Sequence, residues 1–236
     1  MYKKNFSIEE PQDQNPFALS TGDMMSALMF IFVLLLSVLM LNERQQMEND
    51  EELTNEYYNI KTKLSEKLQE EFKEDLPKWN AVFDSAEIAI RFQEPTMLFD
   101  VNSSKLKPRF TDILDTFFQR YLDIITDSIF VDNIEEIRIE GHTDSTGSYE
   151  LNMKLSQERT RTVLNYCLNI IPMKKIYPDT TLEQWTKARI TANGLSYSHL
   201  IRNPNGTANS ELSRRVEFRI RTNAEKQLEK IAKRRK

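Results

Sequence analysis

Cysteine is almost absent from this sequence, and its scarcity removes two classes of architecture. With Cys167 alone, neither an intramolecular disulfide nor a cysteine-built metal site can form. Cys167 falls in the apolar-periodic run Val163, Leu164, Cys167, Leu168 and Ile171, so a buried core thiol is favoured over an intermolecular bridge. Histidine is nearly as scarce. His142 and His199 are the only two, and His199 sits in a loop-like stretch, which leaves little material for acid–base catalysis or a metal centre. No enzymatic activity and no cofactor is expected. There are only five glycines, and none between Glu43 and Pro77, where Glu, Gln, Lys and Asn dominate; that composition suits a long helix. A one-sided charge is lacking too. The net charge of −4 with 29% charged residues points neither to a nucleic-acid binder nor to an acidic tail protein.

What the chain does have is one long stretch without charge, Met24 to Leu41, preceded immediately by Asp23. At about 1.5 Å per residue the run covers roughly 27 Å, close to the hydrocarbon thickness of a bilayer. Only Ser26 and Ser37 interrupt it. A single transmembrane helix over residues 23–43 is predicted. A cleaved signal peptide is the rival, but its shorter apolar core would end in small residues, whereas Asn42-Glu43-Arg44-Gln45-Gln46 follows here. Asp23 itself reads in two ways: an interfacial carboxylate solvated by headgroups, or an acid facing partner helices that titrates, since intramembrane acids are costly unless they face a protein interior or a wet cavity.

Residues 1–22 mix Lys3 and Lys4 with Glu9, Glu10 and Asp13 around Pro11 and Pro16, and read as an irregular arm. Residues 44–78 read as a helical linker. Leu53, Tyr57, Ile60 and Leu64 alternate spacings of four and three, the seam of a short dimeric coiled coil, while Leu68 and Phe72 drift to spacings of four. A solvated amphipathic helix resting on the following domain is the other reading of that stretch.

The remaining length suits one ordinary globular domain, residues 79–222, followed by a basic tail, 223–236, ending Lys233-Arg234-Arg235-Lys236. Glu87 to Phe92, Ile134 to Glu140 and Arg215 to Arg221 alternate at period two, and Ala188 to Ala192 reads as a further strand. Pro108 to Ile125 carries an apolar helical face at Ile113, Leu114, Phe117, Phe118 and Tyr121, with Pro108 opening the helix, and Glu150 to Ile171 reads as a second long helix. The expected fold class is α+β: a transmembrane helix, a helical linker, and a two-layer α/β sandwich with helices on one face of a mixed sheet.

The segment GDMMSALMFIFVLLL resembles the transmembrane segment of MotB-like stator B subunits. The resemblance implies that Asp23 binds a proton or sodium ion at the interface with a ring of MotA-like multi-spanning subunits, five around a dimer of this chain. Further on, Met97-Leu98-Phe99-Asp100, Leu106-Lys107-Pro108, Gly141-His142-Thr143-Asp144-Ser145-Thr146-Gly147, Leu155-Ser156-Gln157-Glu158-Arg159 and Arg214-Arg215-Val216-Glu217-Phe218 resemble the OmpA-like peptidoglycan-binding domain. That likeness implies a cell-wall peptide ligand held through the charges of its diaminopimelate end, with the family's acid on Asp144 and its arginine on Arg159. Thr143, Asn152, Leu155, Ser156 and Arg214 line the same pocket by position. A diaminopimelate terminus presents an ammonium and carboxylates, so one fixed acid and one arginine fork read both signs. The bland alternative is that Asp144 and Arg159, expected at a solvent-facing rim, pair with each other. Two departures stand out: Ser213 replaces the usual asparagine before the double arginine, and Ile201 to Gly206 replaces a more acidic loop.

Together the resemblances imply an inner-membrane stator with a cytoplasmic N-terminus and a periplasmic wall-binding domain. The mixed N-terminal arm, Thr21-Gly22 before the acid and the absence of tryptophan from the membrane run make the chain most similar to the B subunit of the Zorya anti-phage defence system. A flagellar stator B subunit and a passive peptidoglycan tether, in which Asp23 does no work, are the alternatives.

Overall fold

A computed structural model of the chain describes residues 16–93, 98–100 and 102–223. Most of the predicted N-terminal arm, 1–15, and of the basic tail, 224–236, lies outside the described residues. The chain divides into two units, residues 1–52 and residues 53–236.

Helix α1, Pro16–Phe72, runs for 57 residues. Its described part starts at Pro16, ahead of the expected start at Asp23. Within the first unit an 18-residue window reaches a mean hydropathy of 2.7, long and apolar enough to cross a membrane. The side chains from Met24 to Leu41 are exposed all round. The two hydroxyls in the run turn inward on the backbone: Ser26 Oγ donates to the Gly22 carbonyl and Ser37 Oγ to the Val33 carbonyl, each at 2.8 Å, so neither presents an unmet donor to hydrocarbon.

In the second unit the last turns of α1 belong to the globular core. Leu64, Leu68 and Phe72 are almost completely buried, Ile60 packs against them, and Leu53 is exposed. The boundary expected at residue 79 therefore comes too late. The predicted coiled-coil seam is not a uniform stripe either, because Leu64 is spent on the domain. Phe72 meets Phe117 at 5.2 Å between ring centroids, and Arg120 stacks over Phe72 while bonding Glu71 and Asp75. Leu64→Ala should accordingly lower the unfolding free energy by about 2 kcal/mol or more, independently of protein concentration. Chemical unfolding at two concentrations checks this, since a loss appearing only on dilution would belong to a dimeric seam.

After α1 come β1 (Ala81–Asp84), β2 (Ala89–Gln93), α2 (Pro108–Ile125), β3 (Ile134–His142), α3 (Tyr149–Asn169), β4 (Lys175–Tyr177), β5 (Thr180–Thr181), α4 (Leu182–Lys187), β6 (Ile190–Gly194), α5 (Ser210–Ser213) and β7 (Arg215–Thr222). The five-stranded sheet has the order β1-β2-β7-β3-β6, antiparallel except for the β3–β6 pair, and β4-β5 form a separate hairpin. The period-two alternation of β7 sends Val216, Phe218 and Ile220 into the core, where Phe218 lies 5.0 Å from Phe117 of α2. Helices thus cover one face of a mixed sheet, as expected of the α+β class, and Cys167 is buried in α3. Two glycines let α3 approach the sheet closely. A Cβ on Gly194 would lie 2.4 Å from the Gln157 amide nitrogen, and one on Gly141 would lie 3.0 Å from the Ser156 carbonyl oxygen. This contact brings the first half of α3 against the end of β3, where the candidate site forms.

Candidate functional site

The loop from β3 to α3 is built to hold a carboxylate still. Asp144 Oδ1 accepts the Thr146 amide at 2.8 Å in an Asx turn, and Gly147 takes φ +88°, a conformation that side chains resist. Ser148 then caps α3 by accepting the Leu151 amide. Asn152 reaches back from the first turn to donate to the Thr146 and Ser148 carbonyls at 2.8 and 3.2 Å, so loop and helix are tied together.

Asn152, Leu155 and Arg159 recur at three and seven residues on one helix face, turned toward that loop. Arg159 is immobilised on the far side: Nε donates to the Ser103 carbonyl at 2.9 Å, Nη2 to the Asp100 carbonyl at 3.3 Å, and the guanidinium lies 4.8 Å over the Phe99 ring. Arg214, just before β7, donates from Nη1 to Asp144 Oδ2 at 2.6 Å. Asp144, Arg159 and Arg214 share the wall of one open cavity of about 380 Å³. Thr143, Asn152 and Leu155 also line it, and Thr143 Oγ1 is buried without a hydrogen-bond partner among the described residues.

Two expectations need correction, and the alternative pairing of Asp144 with Arg159 is not found. Ser156 does not line the cavity. It is fully buried beneath it, with Oγ accepting the Ser196 amide at 3.1 Å and donating to the Met153 carbonyl at 2.9 Å, because the close approach at Gly141 draws this turn onto the sheet. Asp144 and Arg159 are not at a solvent-facing rim, since each is only 8% exposed. Nor do they hydrogen-bond each other: the partner of Asp144 is Arg214, 70 residues away. Ser213, in place of the usual asparagine, is fully buried and pins the departing loop by accepting the Ile201 amide at 3.0 Å. Phe99, Asp100, Asn102 and Thr146 also line the cavity. The quoted motifs were a signal for Phe99, Asp100 and Thr146, whereas nothing in the sequence pattern marks Asn102.

Electrostatically the pocket is asymmetric. Burial would raise the Asp144 carboxyl, but the hydrogen bonds from Arg214 and the Thr146 amide outweigh it and hold the group below the ordinary range, so it is anionic near neutrality. Burial and the neighbouring Arg214 charge lower Arg159, with Asp144 opposing. Asp100 turns its carboxylate to Lys107 at 3.0 Å and is largely solvated. The cavity therefore offers one fixed anion between two cations.

The chain is 38% identical to the Zorya protein ZorB of Escherichia coli strain Crooks over 232 residues, 95% of this chain and 95% of that protein. It belongs to the ZorB family. A second Zorya protein ZorB, from Escherichia coli O139:H28, is 26% identical over 93% of this chain and 87% of its own length. Residues 98–203 match the OmpA family, a range that includes Asp144 and Arg159 and ends before Arg214. A solved MotB like protein from Desulfovibrio vulgaris is 25% identical, covering 75% of this chain and 98% of its own, with a TM-score of 0.43.

This ZorB-family chain holds a second charged group on the opposite face of the sheet. His142 Nε2 lies 3.9 Å from Glu140 Oε2 and 3.6 Å from Glu217 Oε1. The spacing resembles that of metal ligands, but the surroundings do not fit a cation. Glu217 Oε1 already accepts Arg91 Nε at 3.1 Å and Arg215 Nε at 2.5 Å, so an ion would enter among guanidinium groups. Burial first, then the charges of Arg215, His199 and Arg91, push His142 down to about 2, which keeps the ring neutral. The unfolded chain protonates its histidines near the usual value of about 6.5, so below that pH the unfolded state binds the extra proton. Stability falls as pH falls, by up to about 1.4 kcal/mol per pH unit from this group. Glu140, raised by burial, runs the other way and offsets part of the loss. Urea unfolding at pH 7 and pH 5 should show this slope in the parent and a flatter one in His142→Asn; equal slopes would contradict it.

Proposed function

We propose that this ZorB-family chain is the wall-anchored stator subunit of an ion-driven inner-membrane motor acting in anti-phage defence. Its membrane helix is held with a cytoplasmic N-terminus, Asp23 carries the ion, and the OmpA-like domain grips peptidoglycan in the periplasm through Asp144 and Arg159. The partner is a MotA-like, Zorya A-type multi-spanning subunit, five copies around a dimer of this chain.

The observation that carries the reading is the family relationship extending over 95% of both chains, helix and domain alike. Two features of this molecule support it. Asp23 is exposed on α1 immediately before Met24 to Leu41, a run that holds no other titratable group, so a charge moving there has one carrier. The cavity between β3 and α3 presents an anion and two cations at once, which suits a zwitterionic peptide end rather than a sugar or a lipid tail.

Co-expression with an A-type membrane subunit, followed by affinity purification in mild detergent, tests the assembly. The expected product is a complex with several A-type copies per pair of this chain, measured by native mass spectrometry. Purification of this chain alone, from cells that contain the A-type subunit in their membranes, would overturn the stator reading and leave a tether.

A further inference from the structure

Away from the cavity between β3 and α3, with which it shares no lining residue, a second notch of about 200 Å³ opens where α1 meets the sheet. Lys61 of α1, Ala86, Glu87 and Ile88 of the β1–β2 turn, and Arg219 and Thr222 of β7 line it. Two cations thus stand against one acid. The turn is held firmly, since Asp84 Oδ1 accepts the Ala86 and Glu87 amides at 2.9 and 3.2 Å and the Ile88 carbonyl accepts the Ile220 amide at 3.2 Å. Lys61 reaches it from the helix, with Nζ donating to the Ala86 carbonyl at 2.6 Å.

Two features of the notch have no account in the fold alone. Ile88 is buried at φ +47°, a conformation that a β-branched side chain resists, and such strain gathers where a ligand is clamped. Arg219 Nε is buried without a hydrogen-bond partner among the described residues, although leaving a buried donor unmet is costly. Glu87 pairs with the neighbouring Nη2 and not with Nε, and its side chain is 42% exposed, so it engages the guanidinium from one prong only. An oxyanion with two oxygens side by side fits the Nε and Nη2 prongs together.

We propose that this notch binds a phosphate group, which takes the Nε and Nη2 fork of Arg219 in place of Glu87 and, through the Lys61 charge, ties the last turns of α1 to the sheet. The charge agrees, because Lys61 and Arg219 against Glu87 leave the lining positive. The space suits one small oxyanion rather than a polymer. The same group is carried by the free ion and by a phospholipid headgroup, and the test separates the two sources.

The test is isothermal titration of the full chain in a maltoside detergent with inorganic phosphate and with dimethyl phosphate, the charged core of a phospholipid headgroup, at matched ionic strength. The parent should bind at least one of them, with slower amide hydrogen exchange around Lys61 and Ile88. Tighter binding of inorganic phosphate assigns the free ion to the notch, tighter binding of dimethyl phosphate assigns the headgroup, and either supports the site. Arg219→Gln should weaken binding about tenfold or more, and Arg219→Lys should weaken it less, since lysine keeps the charge and loses the fork. Glu87→Gln should tighten binding about threefold or more, because the competing carboxylate is gone, and damage to the fold would give no such gain. Absence of binding by the parent, or unchanged binding in both Arg219→Gln and Glu87→Gln, would overturn the proposal. Binding that persists in Arg219→Gln and disappears in Arg214→Gln would place the ion in the cavity between β3 and α3 and overturn it equally.

Discussion

Asp23→Asn should abolish ion-driven activity while leaving the complex assembled. The substitution keeps the size and polarity of the side chain and removes its charge, so packing against partner helices survives while ion binding does not. Asp23 lies at the end of the apolar run, where a charge costs less than the about 2.5–3.5 kcal/mol of one at the helix centre, and a neutral amide costs less still, so assembly should not be impeded. No substitute carrier stands nearby, because Met24 to Leu41 contain no other titratable group and the hydroxyls of Ser26 and Ser37 are bonded to their own helix backbone. Asp23→Glu should be weak or intermediate, since an added methylene moves the carboxylate relative to the partner helices of the proposed relay. The measurement pairs ion flux into vesicles and protection of cells from phage with co-purification of the A-type subunit. Full activity of an assembled Asp23→Asn complex would show that the aspartate does no work and leave only the tether.

Much of the fold was written in local periodicity. Helix α2 has the predicted bounds, Pro108–Ile125, because proline opens it and an uninterrupted apolar face fills it. Strands β3 and β7 were equally legible, since a half-buried strand must alternate. Strand β1, Ala81–Asp84, escaped because four residues are too few to establish a period, and its place at the sheet edge is decided by pairing with β2. The end of α1 was ambiguous for a different reason. Leu64, Leu68 and Phe72 at spacings of four suit a helix laid on a core, whereas Leu53 to Leu64 also fit a heptad, and only tertiary packing decides which face is used.

The site divides along the same line. Asn152, Leu155 and Arg159 were named through the family resemblance and share one helix face, and the loop motif located Thr143 and Asp144. The union of Asp144 with Arg214 was not legible, because 70 residues separate them and a pairing across a sheet leaves no spacing signal. The anchoring of Arg159 was equally hidden, since its acceptors at Ser103 and Asp100 are backbone carbonyls, which any residue supplies. Ser156 shows the converse error: the family resemblance put it in the pocket, but Gly141 lets that turn sink onto the sheet.

The wall site carries the second large effect. Asp144→Ala and Arg159→Ala should each weaken binding to peptidoglycan by on the order of 2–5 kcal/mol, the range for truncating one partner of a buried, hydrogen-bonded charge pair. Each change leaves a ligand charge facing a cavity that still holds fixed charge of its own sign or lacks the opposite one. Because both residues are mostly buried, alanine has structural consequences too. Asp144→Ala strips the acceptor from the Thr146 amide and from Arg214, and Arg159→Ala uncovers Phe99. Asp144→Asn separates the two effects, since its amide oxygen still accepts the Thr146 amide while the charge is gone. Binding should fall in Asp144→Asn nearly as far as in Asp144→Ala, with a smaller loss of thermal stability. Sedimentation of the detergent-solubilised chain with purified cell wall at matched salt, together with thermal melts, measures both quantities. If Asp144 and Arg159 serve only to hold the loop and the Phe99 wall in place, Asp144→Asn would sediment as well as the parent, and the pocket between β3 and α3 would not be the wall site.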